Sequence, residues 1–243
     1  MKPRVLAALA ACLCIQAAHA AHPLVSDDTG TQGAGNRQFE INTDRTRDGG
    51  VSSQSAAATF THGLRDALDV FMTIPAATTS PSGINDVSIG AKWRFMEGER
   101  SSWGLKSELF FPAGDEKRGL GTGRARAGVT LLGAYQVDAW TFLGNIGVTH
   151  NRYAIPSDRE QNRKVVWRLS AAALYAFDEH WKAVVDAGAA HNEQKAVGTH
   201  PAFILLGLIY SPSGKMDVDV GVKVGLNSAE VHRQVGAGLT LRF

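Results

Sequence analysis

The strongest constraint on the fold lies near the end of the chain, where residues change character at every second position. Met216, Val218, Val220, Val222, Val224 and Leu226 alternate with Asp217, Asp219, Gly221, Lys223 and Gly225. A period of two sends the two sets to opposite faces of an extended strand, so one face is wholly apolar and the other polar or small. The final segment repeats the pattern, with Val235, Ala237, Leu239, Leu241 and Phe243 against Gln234, Gly236, Gly238, Thr240 and Arg242. Val87, Ile89, Ala91, Trp93 and Phe95 alternate in the same way with Asp86, Ser88, Gly90, Lys92 and Arg94.

The same template predicts strands near 37–47, 53–62, 66–75, 84–95, 102–111, 123–137, 139–150, 165–177, 180–191, 201–210, 215–226 and 231–243. Twelve is an even number, and most segments reach the ~9–11 residues that a tilted strand needs to cross a bilayer. Register is weakest in strand two, with Ala56, Ala57 and Ala58, and in strand ten, where 203–210 is apolar on both faces. One set of connections is short: 62–65, 96–101, 137–139, 178–180 and 211–214. The other set, at 47–52, 76–83, 112–122, 151–164, 192–199 and 227–230, is mostly longer and rich in charge, Gly and Pro. That asymmetry is expected of short periplasmic turns and long external loops.

Alternation also fits a soluble sandwich or a lipocalin-like barrel. The aromatics discriminate. Phe60, Phe95, Trp103, Tyr135, Trp140, Tyr175, Phe177, Trp181, Tyr210 and Phe243 all fall beside a short turn or a chain end, on the apolar face where the register is clear. Rings with one wet edge collect at a bilayer interface, whereas a soluble core buries them in mid-strand. The expectation is an all-β fold, a transmembrane antiparallel up-and-down barrel of about 12 strands in the bacterial outer membrane. Mean hydropathy resembles that of a soluble protein, as it does when each strand shows only one face to lipid.

Lys2 and Arg4 precede an apolar run from Val5 to Ala18, interrupted only by Gln16, with small residues at its end in Ala18-His19-Ala20. This reads as a signal peptide over 1–20, too short for a spanning helix. Leu9-Ala10-Ala11-Cys12 offers a lipoprotein alternative, at the cost of a very short apolar core. Residues 21–36 form an N-terminal periplasmic or plug segment, and 37–243 the barrel. Both cysteines, Cys12 and Cys14, fall in the leader, so the remainder offers no disulfide, thiol nucleophile or cysteine metal ligand. With Lys2 and Arg4 removed, 23 of the 25 basic residues remain against 23 acidic ones. That balance argues against a nucleic-acid partner.

Glu40, Asp44, Asp69, Asp86, Lys92, Arg94, Lys106, Glu108, Arg124, Arg126, Arg168, Lys182, Asp186, Asp217, Asp219, Lys223 and Arg242 fall on the face opposite the apolar one. They read either as cross-strand ion pairs stiffening the wall or as a charged constriction lining a permeation path. Asp86, Lys92, Arg94, Lys106, Glu108, Arg124, Arg126, Arg168, Asp217, Asp219 and Lys223 are the permeation candidates. The histidines show no metal-ligand spacing, and His150, His191 and His200 read as solvated rim residues. An acyl-transfer site needs a serine, a base and an orienting group. Ser107 and Ser170 have no such partner nearby in sequence, so neither a catalytic residue nor a cofactor is expected. Gly119-Leu120-Gly121-Thr122-Gly123 opens a strand rather than a helix, which excludes a strand-loop-helix phosphate loop. It reads as a flexible external loop reaching Arg124.

Several pieces together carry a resemblance. They are His22-Pro23-Leu24-Val25-Ser26-Asp27-Asp28-Thr29-Gly30-Thr31-Gln32-Gly33; Gly63-Leu64 through Asp69 to Pro75; Asn85-Asp86-Val87 with Gly90-Ala91-Lys92-Trp93-Arg94-Phe95; Phe111-Pro112-Ala113-Gly114-Asp115; and Gly119 to Gly123. In this order they resemble the outer-membrane family of the MetA pathway of phenol degradation, over nearly the whole chain after the leader. The resemblance implies a transporter-like barrel that moves small, aromatic or hydrophobic compounds. The functional expectation is a passive channel with outer-membrane lipid and a small-molecule permeant as partners. Its alternatives are a structural barrel that transports nothing and a lipid-modifying enzyme. Terminal Phe243 matches the signal favoured by the barrel-assembly machinery. Asp27 and Asp28 are plug candidates, expected to fold into the lumen and pair with Arg94, Arg124 or Arg126.

Overall fold

The computed structural model describes residues 22–243. The expected leader, its Ala18-His19-Ala20 cleavage site, Cys12 and Cys14 lie outside the described residues. Twelve long strands follow one another: β1 (Arg37–Asp48), β2 (Val51–Arg65), β3 (Leu68–Ala77), β4 (Val87–Glu97), β5 (Ser101–Phe111), β6 (Arg126–Val137), β7 (Trp140–His150), β8 (Val165–Ala176), β9 (Trp181–Ala190), β10 (Ala202–Ser213), β11 (Met216–Gly225) and β12 (Arg233–Arg242). A two-residue strand, Gly83–Ile84, pairs with the end of β3.

Every long strand pairs antiparallel with its sequence neighbours, and β12 returns to β1, so the sheet has no free edge. The closing seam runs from Gln38 opposite Arg242 to Arg47 opposite Arg233. Phe243 extends it: its N–H donates to the Arg37 carbonyl at 3.0 Å, and its carbonyl accepts from the Arg37 N–H at 2.8 Å. Closure gives every long strand a hydrogen-bonded neighbour on both sides, which hydrocarbon demands because it offers no water.

The apolar sets face outward: Val218, Val220, Val222 and Val224 are exposed, while Asp217 and Asp219, on the alternate positions, are buried. Burial is thus inverted relative to a soluble core, as lipid replaces the core as the apolar phase. Trp140 lies 4.8 Å from Tyr175 and Trp181 4.5 Å from Tyr210, centroid to centroid, at the short-turn end. This is the girdle expected from the sequence. No described helix is long and apolar enough to cross a membrane.

Strand ends differ from expectation by up to three residues. The 47–52 connection is shorter than expected, because β1 and β2 run on to a tight Gly49-Gly50 turn with positive φ at both residues. The two-sided apolarity of strand ten has a structural cause. Ile204, Leu206 and Leu208 face outward, while Phe203, Leu205 and Ile209 join Leu143, Leu174 and Val184 in an apolar cluster on the inner wall, against which Leu24 packs.

Candidate functional site

Residues 22–36 lie inside the barrel, and the wall supplies a partner at nearly every step. His22 sits between two wall carboxylates: its Nδ1 bonds Asp219, and its Nε2 stands 3.7 Å from Asp44. Glycines make room for it, since a Cβ on Gly236 or Gly238 would lie 2.8 Å from a His22 ring nitrogen. Gly207, Gly221 and Gly236 stand in cross-strand register, and a Cβ on either of the first two would lie 2.6 Å from Pro23. A glycine trough thus admits His22 and Pro23 where any side chain would expel them.

The segment next crosses β9, where fully buried Asp186 accepts from the Val25 and Ser26 amides, both at 2.7 Å, and from Ser26 Oγ at 2.9 Å. Asn145 on β7 grips the backbone of Asp27, accepting its N–H at 2.6 Å and donating to its carbonyl at 2.9 Å. The Asp27 side chain meets two lysines, with Oδ1 at 3.1 Å from Lys92 Nζ and Oδ2 at 2.9 Å from Lys106 Nζ. Asp28 Oδ1 lies 3.3 Å from Lys92 Nζ. Farther on, Asp69 accepts from the Gln32 amide, and the Asp66 carboxylate in the β2–β3 turn accepts from the Ala34 amide. Asp27 and Asp28 are therefore held by lysines rather than by Arg94, Arg124 or Arg126. Arg94 instead pairs with Glu97 at 3.2 Å near the short-turn end.

The wall brings like charges together beneath this segment. Lys92 on β4 and Lys106 on β5 are direct cross-strand partners, an arrangement that repels unless an anion stands between them. Asp27 supplies it. Asp44 and Asp219 form the opposite case, with His22 as the cation. Burial pushes the His22 pKa down, but the hydrogen bonds and charges of Asp219 and Asp44 outweigh it and raise the pKa to about 9. For Asp27, burial pushes the carboxyl pKa up, yet Lys106 and Lys92 hold it well below the usual carboxylate range.

The segment divides the lumen. On the long-loop side lies a vestibule of about 810 Å³, lined among others by Phe110, Val166, Arg168, Phe203 and Lys223, with Asp27 and Lys106 in its wall. On the other side a void of about 200 Å³ is bounded by Glu40, Asp69, Phe71 and Lys92, and again by Asp27 and Lys106. That one ion pair borders both spaces.

The remaining candidates divide by role. Arg168 is exposed to the vestibule, without an ion-pair partner among the described residues. Lys223 pairs with Glu230 at 3.0 Å, Glu108 accepts from Ser88 Oγ at 2.6 Å, and Asp217 pairs with Arg242. Asp86 organises a loop: it accepts from the Gly114 amide at 3.3 Å and the Thr122 amide at 3.0 Å, with Arg126 3.6 Å away. Residues 119–123 therefore do not form the free loop expected from their glycines. Leu120 is buried, Asn85 Nδ2 donates to its carbonyl at 3.0 Å, and β6 begins only at Arg126. Arg124 correspondingly sits exposed in the loop instead of on the lumen face of a strand. His191 and His200 are not scattered either, since their rings lie 5.2 Å apart and both pack on Trp167. His22, Asn145 and the glycine trough escaped the sequence reading. Their one trace was that Asn145, Gly207 and Gly221 occupy inward positions of the alternation.

Solved structures with this architecture are outer-membrane barrels. A COG4313 outer membrane channel from Pseudomonas putida F1 superposes with a TM-score of 0.69 at 12% identity, covering 89% of this chain and 98% of that one. The NanC porin gives 0.64 at 8% identity, covering 84% and 98%. The CymD monoaromatic hydrocarbon channel gives 0.52 at 9% identity, covering 87% and 89%. No match is found among curated proteins. Closed topology, outward apolar belt and aromatic girdle make this chain a bacterial outer-membrane β-barrel. The family model described as "Putative MetA-pathway of phenol degradation" matches residues 18–243, and the chain belongs to that family.

Proposed function

We propose that the barrel is a passive outer-membrane channel for small molecules, aromatic and hydrophobic ones included, held closed by residues 22–36. The observation that carries this reading is the partition itself. A charged vestibule and an inner void exist on the two sides of one extended segment, separated by the Asp27–Lys106 contact. The vestibule sets Lys106, Arg168 and Lys223 beside Phe110, Val166 and Phe203, so it offers both charge and apolar surface to a permeant. The family membership and the channels among similar folds support the same reading.

Catalysis has no support in the geometry. Ser107 faces outward on β5, whereas Ser170 faces the lumen, its Oγ in hydrogen-bond contact with Ser26 Oγ at 2.8 Å. The two candidate serines thus lie on opposite faces of the wall, and Ser170 serves to hold the segment. Phe243, paired with Arg37 at the closing seam, is the element we assign to recognition by the barrel-assembly machinery.

Deleting residues 22–34 behind an intact leader tests the channel. Conductance in planar bilayers should rise severalfold, and proteoliposomes should swell in phenol-sized solutes. Unchanged conductance, with no permeation of phenol-sized or sugar-sized solutes, would overturn the reading in favour of a structural barrel.

A further inference from the structure

We propose that Lys92 and Lys106 form a binding site for small carboxylates with an apolar or aromatic body, and that Asp27 is its built-in competitor. The proposal deepens the channel reading above and rests on it only for its consequence, a loosened plug. The site is present whether or not solute passes.

The wall dictates the chemistry. Two ammonium groups on directly opposed residues of adjacent strands need a shared anion, and each takes a different oxygen of one carboxylate, at 3.1 and 2.9 Å. Among the described residues no wall carboxylate bridges the two lysines; Glu40, which bounds the same void, accepts from Gln38 Nε2 at 2.6 Å. Asp69 stands opposite Lys92 from β3, but it accepts from the Gln32 amide at 3.0 and 3.1 Å. Thr130 stands opposite Lys106 from β6, and Glu108, two residues along β5, accepts from Ser88. The pair is accordingly built for an anion brought from outside the sheet.

Access and selectivity come from the vestibule. It borders Lys106 directly, and it carries two charges without an ion-pair partner among the described residues, Arg168 on the wall and Glu193 in the loop above it. Phe110, Val166 and Phe203 give the same space apolar surface for a hydrocarbon body. Lys106 Nζ also lies 4.9 Å from the centre of the Phe71 ring, so an aromatic surface adjoins the socket itself. A carboxylate entering from the long-loop side would exchange with the Asp27 side chain, leaving the Asn145 clamp on the Asp27 backbone and the Asp28–Lys92 contact as the remaining holds there. The permeant would thereby weaken the segment's hold on the wall.

Benzoate, with benzyl alcohol as its neutral counterpart, tests this on the refolded full-length barrel by calorimetry in detergent, where no conduction is involved. Removing the internal competitor with Asp27→Asn should tighten benzoate binding about tenfold, because a site occupied by its own ligand binds in proportion to the fraction left open. Asp27→Asn combined with Lys106→Gln should lose that gain, and benzyl alcohol should bind equally to all three. Equal benzoate affinity in the native and Asp27→Asn proteins would overturn the proposal, as would a gain shared by benzyl alcohol. Should the double variant fail to show heat-modifiable migration, the comparison of Asp27→Asn with the native chain still decides. Asp27-dependent benzoate binding in a barrel whose 22–34 deletion conducts no better would remove the channel reading and leave the site standing.

Discussion

A Cβ on Gly121 would lie 2.1 Å from Asp86 Oδ1, and one on Gly114 2.1 Å from the Leu120 carbonyl. These contacts explain why the Gly114-Asp115 and Gly119–Gly123 pieces accompany Asn85-Asp86 in the sequence: together they fold one loop onto one carboxylate. Gly121→Ala should force the turn off Asp86 and deprive a buried carboxylate of backbone donors, costing about 1–3 kcal/mol locally. Limited proteolysis within 112–125 should accelerate, while the barrel's heat-modifiable migration stays unchanged. The sequence showed the glycines but read them as freedom. Only the position of Asp86 beneath them shows that they allow close approach.

The N-terminal segment behaves as an element without regular structure, held by side chains from β3, β4, β5, β7, β9 and β11. Its two charged anchors titrate in opposite directions. The His22 pKa is raised, so its contribution is complete below the ordinary value of 6.5 and is lost as pH rises through about 9. The Asp27 pKa is depressed, so its contribution is complete above the ordinary 3.8 and is lost as pH falls toward the lower folded value. Protease accessibility of residues 22–34 should therefore stay low at neutral pH and rise with a midpoint near pH 9. In His22→Gln that alkaline step should vanish.

The molecule as a whole is turned inside out relative to a soluble β-protein, and its stability should respond accordingly. Val220 is half exposed on the outer wall, beside buried Asp219 facing the lumen. Val220→Arg should cost about 2–4 kcal/mol in lipid, the range for a basic residue near the bilayer midplane, as read by denaturant unfolding in vesicles. Brominated lipid should quench Trp140 and Trp181, whose rings stand exposed in the girdle. An unquenched spectrum would place them away from the bilayer. Native samples should migrate differently on a denaturing gel before and after boiling, as a closed barrel does until its seam opens.

Strand number, the girdle, and most of the inward and outward faces and of the short and long connections were legible in the sequence, the 47–52 connection and Arg124 being exceptions. Each follows from a period of two imposed locally by lipid on one side, and an alternation such as that from Met216 to Leu226 survives whatever the rest of the chain does. The course of residues 22–36 was not legible in the same way. His22 meets Asp219 across 197 positions, Asp27 meets Lys106 across 79, and the trough that receives His22 and Pro23 needs three glycines from three strands in register. A coil with no periodicity takes its path from sockets that exist only once the sheet has closed. The opposed lysines are one such socket. In the sequence they are two alternating polar positions fourteen residues apart, and only strand register turns them into a site that requires an anion.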